Sequence, residues 1–106
     1  FETWFINECR ALNIYNDLDF KFSYLRSKVD VEIDLIVVRP DRSEVLVKIK
    51  SATHLDERHI KHLRLMKKDF PKAQFICASQ VKQAQTIDGI QILPWRQALK
   101  VIGLVK

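Results

Sequence analysis

Two carboxylates, Glu32 and Asp34, interrupt an apolar run from Val31 to Val38, and two lysines at the same spacing, Lys48 and Lys50, interrupt a second run that begins at Val45. Alternate residues of an extended strand share a face. Glu32 and Asp34 therefore project to one side with Ile36 and Val38, opposite Val31, Ile33, Leu35 and Val37. Likewise Glu44, Leu46, Lys48 and Lys50 oppose Val45, Val47 and Ile49. Joined as a hairpin, the two strands bring their charges to one side. Burying such ions unpaired costs on the order of several kcal/mol each, so they must pair, reach water or serve a ligand. Two chemistries fit. One is a pair of cross-strand salt bridges on an exposed sheet face. The other is a phosphodiester site, in which carboxylates hold a hard divalent cation and a lysine steadies the attacking water or the developing phosphate charge.

A second set of charges surrounds a helical apolar stripe: Arg58, His59, Lys61, His62, Arg64, Lys67 and Lys68. Arg58, Lys61 and Lys68 are placed to meet phosphates if that helix borders a groove. A solvated flank covered by long basic side chains is the alternative. His54, His59 and His62 match no zinc spacing with a fourth ligand nearby. Eighteen Lys and Arg against thirteen Asp and Glu give a net charge of +5. That excess favours polyanionic partners through counterion release, and it equally serves solubility. No glycine-rich phosphate loop is present, so an ATP site would lie outside these residues.

The elements that must position these groups follow from periodicity. Phe1, Phe5, Cys9 and Leu12 recur at helical spacing, with Trp4 and Ile6 widening the stripe, which predicts a first helix over 1–12 with both tryptophans, Trp4 and Trp95, in the core. Asn13 to Asp19 is a turn, and alternation from Phe20 to about Arg26 is a first strand. Ser27 to Asp30 turns into a second strand, Val31 to Arg39. Pro40-Asp41-Arg42-Ser43 turns into a third, Glu44 to Lys50. Thr53, three residues before Asp56, reads as the start of a capping box, and Ile60, Leu63, Met66 and Phe70 mark a second helix ending near Pro71. Ala73 to Ala78 is a fourth strand, Ser79 to Asp88 a polar stretch, and Ile90 to Leu93 a fifth strand. Pro94 opens a last helix carrying Trp95, Ala98, Leu99 and Ile102. The expected order is αβββαββα in one domain over 1–106. Cys9 and Cys77, without CxxC spacing, read as buried thiols. No apolar run approaches the roughly 18 residues of a membrane span, and no signal peptide opens the chain, so the expected location is the cytoplasm. A start at Phe1, already in helical pattern, suggests a piece of something longer.

The element order, an acidic residue on the second strand and a lysine-bearing third strand resemble the PD-(D/E)xK nuclease superfamily. More narrowly, Phe1-Glu2, Tyr24-Leu25-Arg26, Glu32-Ile33-Asp34-Leu35 and Val47-Lys48-Ile49-Lys50-Ser51 are similar to the C-terminal nuclease-like domain of prokaryotic AAA-type ATPases. The likeness runs from Phe1 through the fourth strand. It implies an α/β, restriction-endonuclease-like fold, an αβββαβ core with a mixed central sheet flanked by helices. It also implies roles. Asp34 matches the acidic metal ligand of the second strand, Glu2 the acidic residue of the first helix, and Lys50 the lysine that ends the motif.

The position two before that lysine is acidic in the superfamily and is Lys48 here. The swap changes the local charge by two units against a cation. At about 4 Å and an effective dielectric of about 20, one unit of cation charge repels an ammonium by roughly 4 kcal/mol. Glu44 lies roughly 13 Å further along the strand and cannot substitute. Lys48 is therefore expected to neutralise Asp34 or Glu32 in place of a metal. Three readings stand. The first is a non-catalytic module, with no cofactor, that binds DNA or docks on an ATPase domain of the same longer chain. The second is a Mg²⁺-dependent DNA endonuclease with a rearranged site built from Glu2, Glu32, Asp34 and Lys50. The third is a structural or dimerisation module, a homodimer in the simplest case, whose charged strands form only a salt-bridge ladder.

Overall fold

A computed structural model describes residues 1–26 and 32–105. The expected turn over 27–30 and the strand start at Val31 lie outside the described residues. Helix α1 (Glu2–Tyr15) precedes strands β1 (Lys21–Arg26), β2 (Glu32–Val38) and β3 (Val45–Lys50). A 3₁₀ turn (Glu57–Ile60) leads into α2 (Lys61–Met66), followed by β4 (Gln74–Ser79), β5 (Gln85–Ile87), β6 (Ile90–Pro94) and α3 (Trp95–Ile102). The six strands form one mixed sheet in the order β1-β2-β3-β4-β6-β5. β1, β2 and β3 pair antiparallel as expected, β4 joins β3 in parallel, β6 joins β4 in parallel, and β5 closes the far edge antiparallel to β6.

Two apolar layers sandwich the sheet. Leu35, Val37, Val45, Val47, Ile49, Ile76 and Ala78 meet Phe5 and Cys9 of α1 and Ala98, Leu99 and Ile102 of α3. On the other face Ile33, Leu46, Phe75, Cys77, Ile90 and Ile92 meet Ile60, Leu63 and Met66 around α2. Each fully buried Leu, Ile or Phe contributes about 1.5–3 kcal/mol. Both cysteines are free and buried as expected, and burial pushes each thiol up to about 12.

Four local expectations are corrected. Ile33 faces the α2 layer while Leu35 and Val37 face the α1 layer. A register shift between Ser23 and Leu25 explains it, because Ser23 pairs Ile36 and Leu25 pairs Ile33, which leaves Tyr24 opposite both Asp34 and Leu35. Such a bulge reverses which face each later residue takes. The second helix is capped by Asp56 rather than Thr53: Asp56 accepts the Arg58 N–H at 2.9 Å while His59 Nδ1 accepts the Asp56 N–H at 3.2 Å. Leu55 must first be buried against the α2 layer, which delays the helix by three residues. The polar stretch hides β5, which turns into β6 through Asp88 (φ 51°) and Gly89 (φ 79°). An Asp-Gly pair with both φ positive is a favoured two-residue hairpin turn. Trp4 is 44% exposed and packs edge-on against Trp95 at 4.8 Å, bridging α1 and α3 at the surface.

Arg39 anchors the end of β2. The residue is 5% exposed, and its guanidinium donates to the Ser43 carbonyl through Nε and Nη2, at 2.9 and 2.6 Å, and to the Ile102 carbonyl through Nη1 at 3.1 Å. It thereby ties the β2–β3 turn to the end of α3.

Candidate functional site

Asp34 sits at the bulge, where β2 and β3 part. Their ladder pairs Leu35 with Val47, Ile36 with Leu46 and Val37 with Val45. Beyond it the Ile49 N–H has no β2 carbonyl to meet, and an orphaned buried donor is costly. Asp34 Oδ2 accepts that N–H at 2.7 Å and lies 3.5 Å from Lys48 Nζ. The Asp34 and Lys48 side chains are 9% and 21% exposed, so the pair is largely sheltered, with α2 packed over the sheet face that carries Lys48.

Glu2, in the first turn of α1, reaches the same carboxylate. The hydrogen bond its protonated form makes to Asp34 pushes its carboxyl above the usual range, as do burial and the Asp34 charge, while Lys48 and Arg26 pull the other way. Glu2, Glu32 and Asp34 border a cavity of about 370 Å³ with Tyr24 and Arg26, whose guanidinium lies 5.9 Å from the Tyr24 ring centre. These donors do not fit a divalent cation. Among the described residues no three His, Cys, Asp or Glu converge to hold a metal. The ammonium of Lys48 stands 3.5 Å from the Asp34 carboxylate, where it opposes a cation.

The opposite side of β3 is basic. Lys48, Lys50, Arg58, His59 and His62 line a second cavity, of about 170 Å³. Two hydrogen bonds fix its imidazoles: His62 Nδ1 accepts the Glu32 N–H at 3.0 Å, and His59 Nδ1 accepts the Asp56 N–H at 3.2 Å. Arg58 pairs with Asp56 at 2.9 Å on the exposed rim, and this pairing holds the Asp56 carboxyl down at about 2. Arg64 and Lys67 act elsewhere. They bind the carboxylate and the carbonyl of Asp88 and so brace α2 against the β5–β6 turn.

A profile described as a domain of unknown function (DUF4143) matches residues 1–98. The chain belongs to this family. No curated protein and no solved structure matches it significantly. The matched stretch contains every residue of both cavities, so the site is part of the DUF4143 domain proper.

Within the DUF4143 domain, Glu2, Asp34 and Lys48 meet at the β2–β3 gap, and Lys50 lies on the α2 side beside Lys48. Glu32 splits its role. Its carboxylate borders the α1-side cavity while its N–H reaches His62. Of the three expected phosphate contacts, Arg58 joins the basic cavity, whereas Lys61 and Lys68 are exposed outside it. His59 and His62, part of the basic flank by sequence and without zinc spacing, line the basic cavity. Their spacing of three, which places side chains on one helical face, was the available signal.

Proposed function

We propose that this domain is a nuclease-like module that binds DNA through its phosphates without cutting it, as an accessory part of a larger prokaryotic ATPase in the cytoplasm. The observation that carries the reading is the Lys48–Asp34 pair at 3.5 Å, which puts an ammonium where a phosphodiester-cleaving site of this type needs a second carboxylate. The metal's electrostatic role has no donor set here, yet the positive charge has not been lost. It continues from Lys48 into Lys50, Arg58 and the two imidazoles, with Lys61 exposed at the start of α2 and Lys68 exposed in the turn after it. A surface of this sign favours phosphates without any divalent ion. The ATPase connection rests on the likeness of the Glu32–Leu35 and Val47–Ser51 motifs to domains attached to such enzymes.

The test is fluorescence anisotropy of a labelled duplex in EDTA, paired with a nicking assay in Mg²⁺ and Mn²⁺. Binding is expected at micromolar levels in low salt, falling with a log–log salt slope of about −3 for three or four phosphate contacts, with no metal-dependent nicking. Absence of binding at low salt, or nicking that Asp34→Ala abolishes, would overturn the proposal.

A further inference from the structure

We propose that the cavity between β3 and α2 is a binding site for a single phosphoryl group, held by Lys50, Arg58 and the Nε2–H groups of His59 and His62. This inference rests on the DNA-binding reading and names the subsite within it. Every residue lining the cavity is basic. The nearby carboxylates are already engaged: Asp34 accepts the Ile49 N–H and faces Lys48, and Asp56 accepts from Arg58. Lys50 is exposed and makes no ion pair among the described residues, and its ammonium carries three donors.

The imidazoles supply orientation. A ring nitrogen that accepts a hydrogen bond carries no proton, so the neutral ring carries it on the other nitrogen. His62 Nδ1 accepts from Glu32, which leaves Nε2–H as the donor that ring offers; His59 Nδ1 lies 3.2 Å from both the N–H and the carboxylate of Asp56, and its Nε2–H is a donor both in the neutral ring that accepts from the N–H and in the imidazolium that pairs with the carboxylate. The Nε2–H donors, the exposed Lys50 ammonium and Arg58, which binds Asp56 through Nε and Nη2 and keeps Nη1 for a ligand, suit an anion with several oxygens in tetrahedral array. The cavity, about 170 Å³, is large enough to admit such an anion.

The experiment follows the imidazole NMR signals of His59 and His62 while inorganic phosphate is added to the whole chain, with exposed His54 as the internal control. Saturable shifts at His59 and His62 that spare His54 are expected. Lys50→Met, a change at an exposed position that leaves the fold intact, should weaken them about tenfold, the scale of one lost charge-assisted hydrogen bond. Adding a duplex with either a 5′-phosphate or a 5′-hydroxyl then identifies the source. Displacement of phosphate by both duplexes assigns the site to the backbone, and displacement by the first alone assigns it to a phosphorylated end. Equal movement of His54, no saturation, or indifference to Lys50→Met overturns the pocket. If DNA binds while these signals stay still, the pocket falls and the DNA-binding reading survives. If phosphate binds and neither duplex does, the reverse holds.

Discussion

Replacing Lys48 by glutamate reverses the charge that separates this site from a metal site. Lys48 Nζ lies 3.5 Å from Asp34 in a largely sheltered position. Without metal, Lys48→Glu removes Asp34's partner and adds a carboxylate beside Asp34 and Glu2. Breaking a fully buried pair from one side costs about 3–5 kcal/mol. Partial exposure of Lys48 reduces this to about 2 kcal/mol, a fall in Tm of about 10 °C at about 5 °C per kcal/mol for a domain of this size. A divalent ion should reverse the loss. Removing one unit of repulsion at about 4 Å is worth about 4 kcal/mol at an effective dielectric of about 20, and because the swap is of two charge units opposite a divalent ion this is a lower bound, so a gain of at least about three decades in affinity is expected. Free metal at about 100 times the dissociation constant then restores about 2.7 kcal/mol. Calorimetric titration with Mn²⁺ measures the affinity, and melting curves with and without Mn²⁺ measure the rescue. A variant whose Tm ignores Mn²⁺, or an unaltered chain that binds the ion equally well, would refute the assignment of Lys48 as the group that excludes metal.

Other perturbations separate the structural roles. Arg39→Met should lower stability by about 3 kcal/mol in urea unfolding, because it strands the Ser43 and Ile102 carbonyls that the guanidinium now satisfies. A loss under about 1 kcal/mol would contradict that role. The Glu2 carboxyl is held above its usual range, so its contribution to stability is present at acid pH and declines as pH rises past the ordinary glutamate range. Glu2→Gln should flatten that decline and raise Tm near neutral pH by about 2 °C, the small scale of a mostly exposed group; an unchanged pH profile would count against the Glu2–Asp34 contact. Cys9 and Cys77, both pushed up to about 12 by burial, should resist a thiol reagent at pH 8 until denaturant is added, and rapid labelling of the native chain would contradict their packing.

Much of this arrangement was readable from residue pattern. Period-two alternation gave β3 its correct faces, with Val45, Val47 and Ile49 toward one layer and Leu46 toward the other. It also brought Asp34 and Lys48 together across the hairpin. Alternation failed on β2 because periodicity assumes an unbroken register, and the bulge opposite Tyr24 depends on pairing between strands that no single segment encodes. The β5–β6 hairpin was available in Asp88-Gly89, but the strand before it, Gln85–Ile87, has a single apolar residue to mark it. Trp4 follows the helical stripe by spacing and is exposed because α3 offers it only the edge of Trp95.

The bulge also decides how charge is distributed over the domain. Had β2 kept its register, Glu32 would stand on the α2 side with Lys48 and Lys50 and neutralise them. Shifted, its carboxylate borders the α1-side cavity with Glu2, and only its N–H remains on the α2 side, where it orients His62. Asp34, between the two, is matched by Lys48 and contributes little field to either. The end of the sheet is thus acidic toward α1 and basic toward α2, although the chain as a whole carries only +5. A polyanion meets more carboxylates on the α1 side and more cations on the α2 side, so approach is directed to the 3₁₀ turn and α2. It follows that Glu32→Gln should strengthen DNA binding modestly at low salt even though its side chain lies outside the basic cavity. The same change should matter less as salt rises through about 0.1 M, where the screening length falls to about 10 Å, and an effect that grows with salt would contradict the charge account.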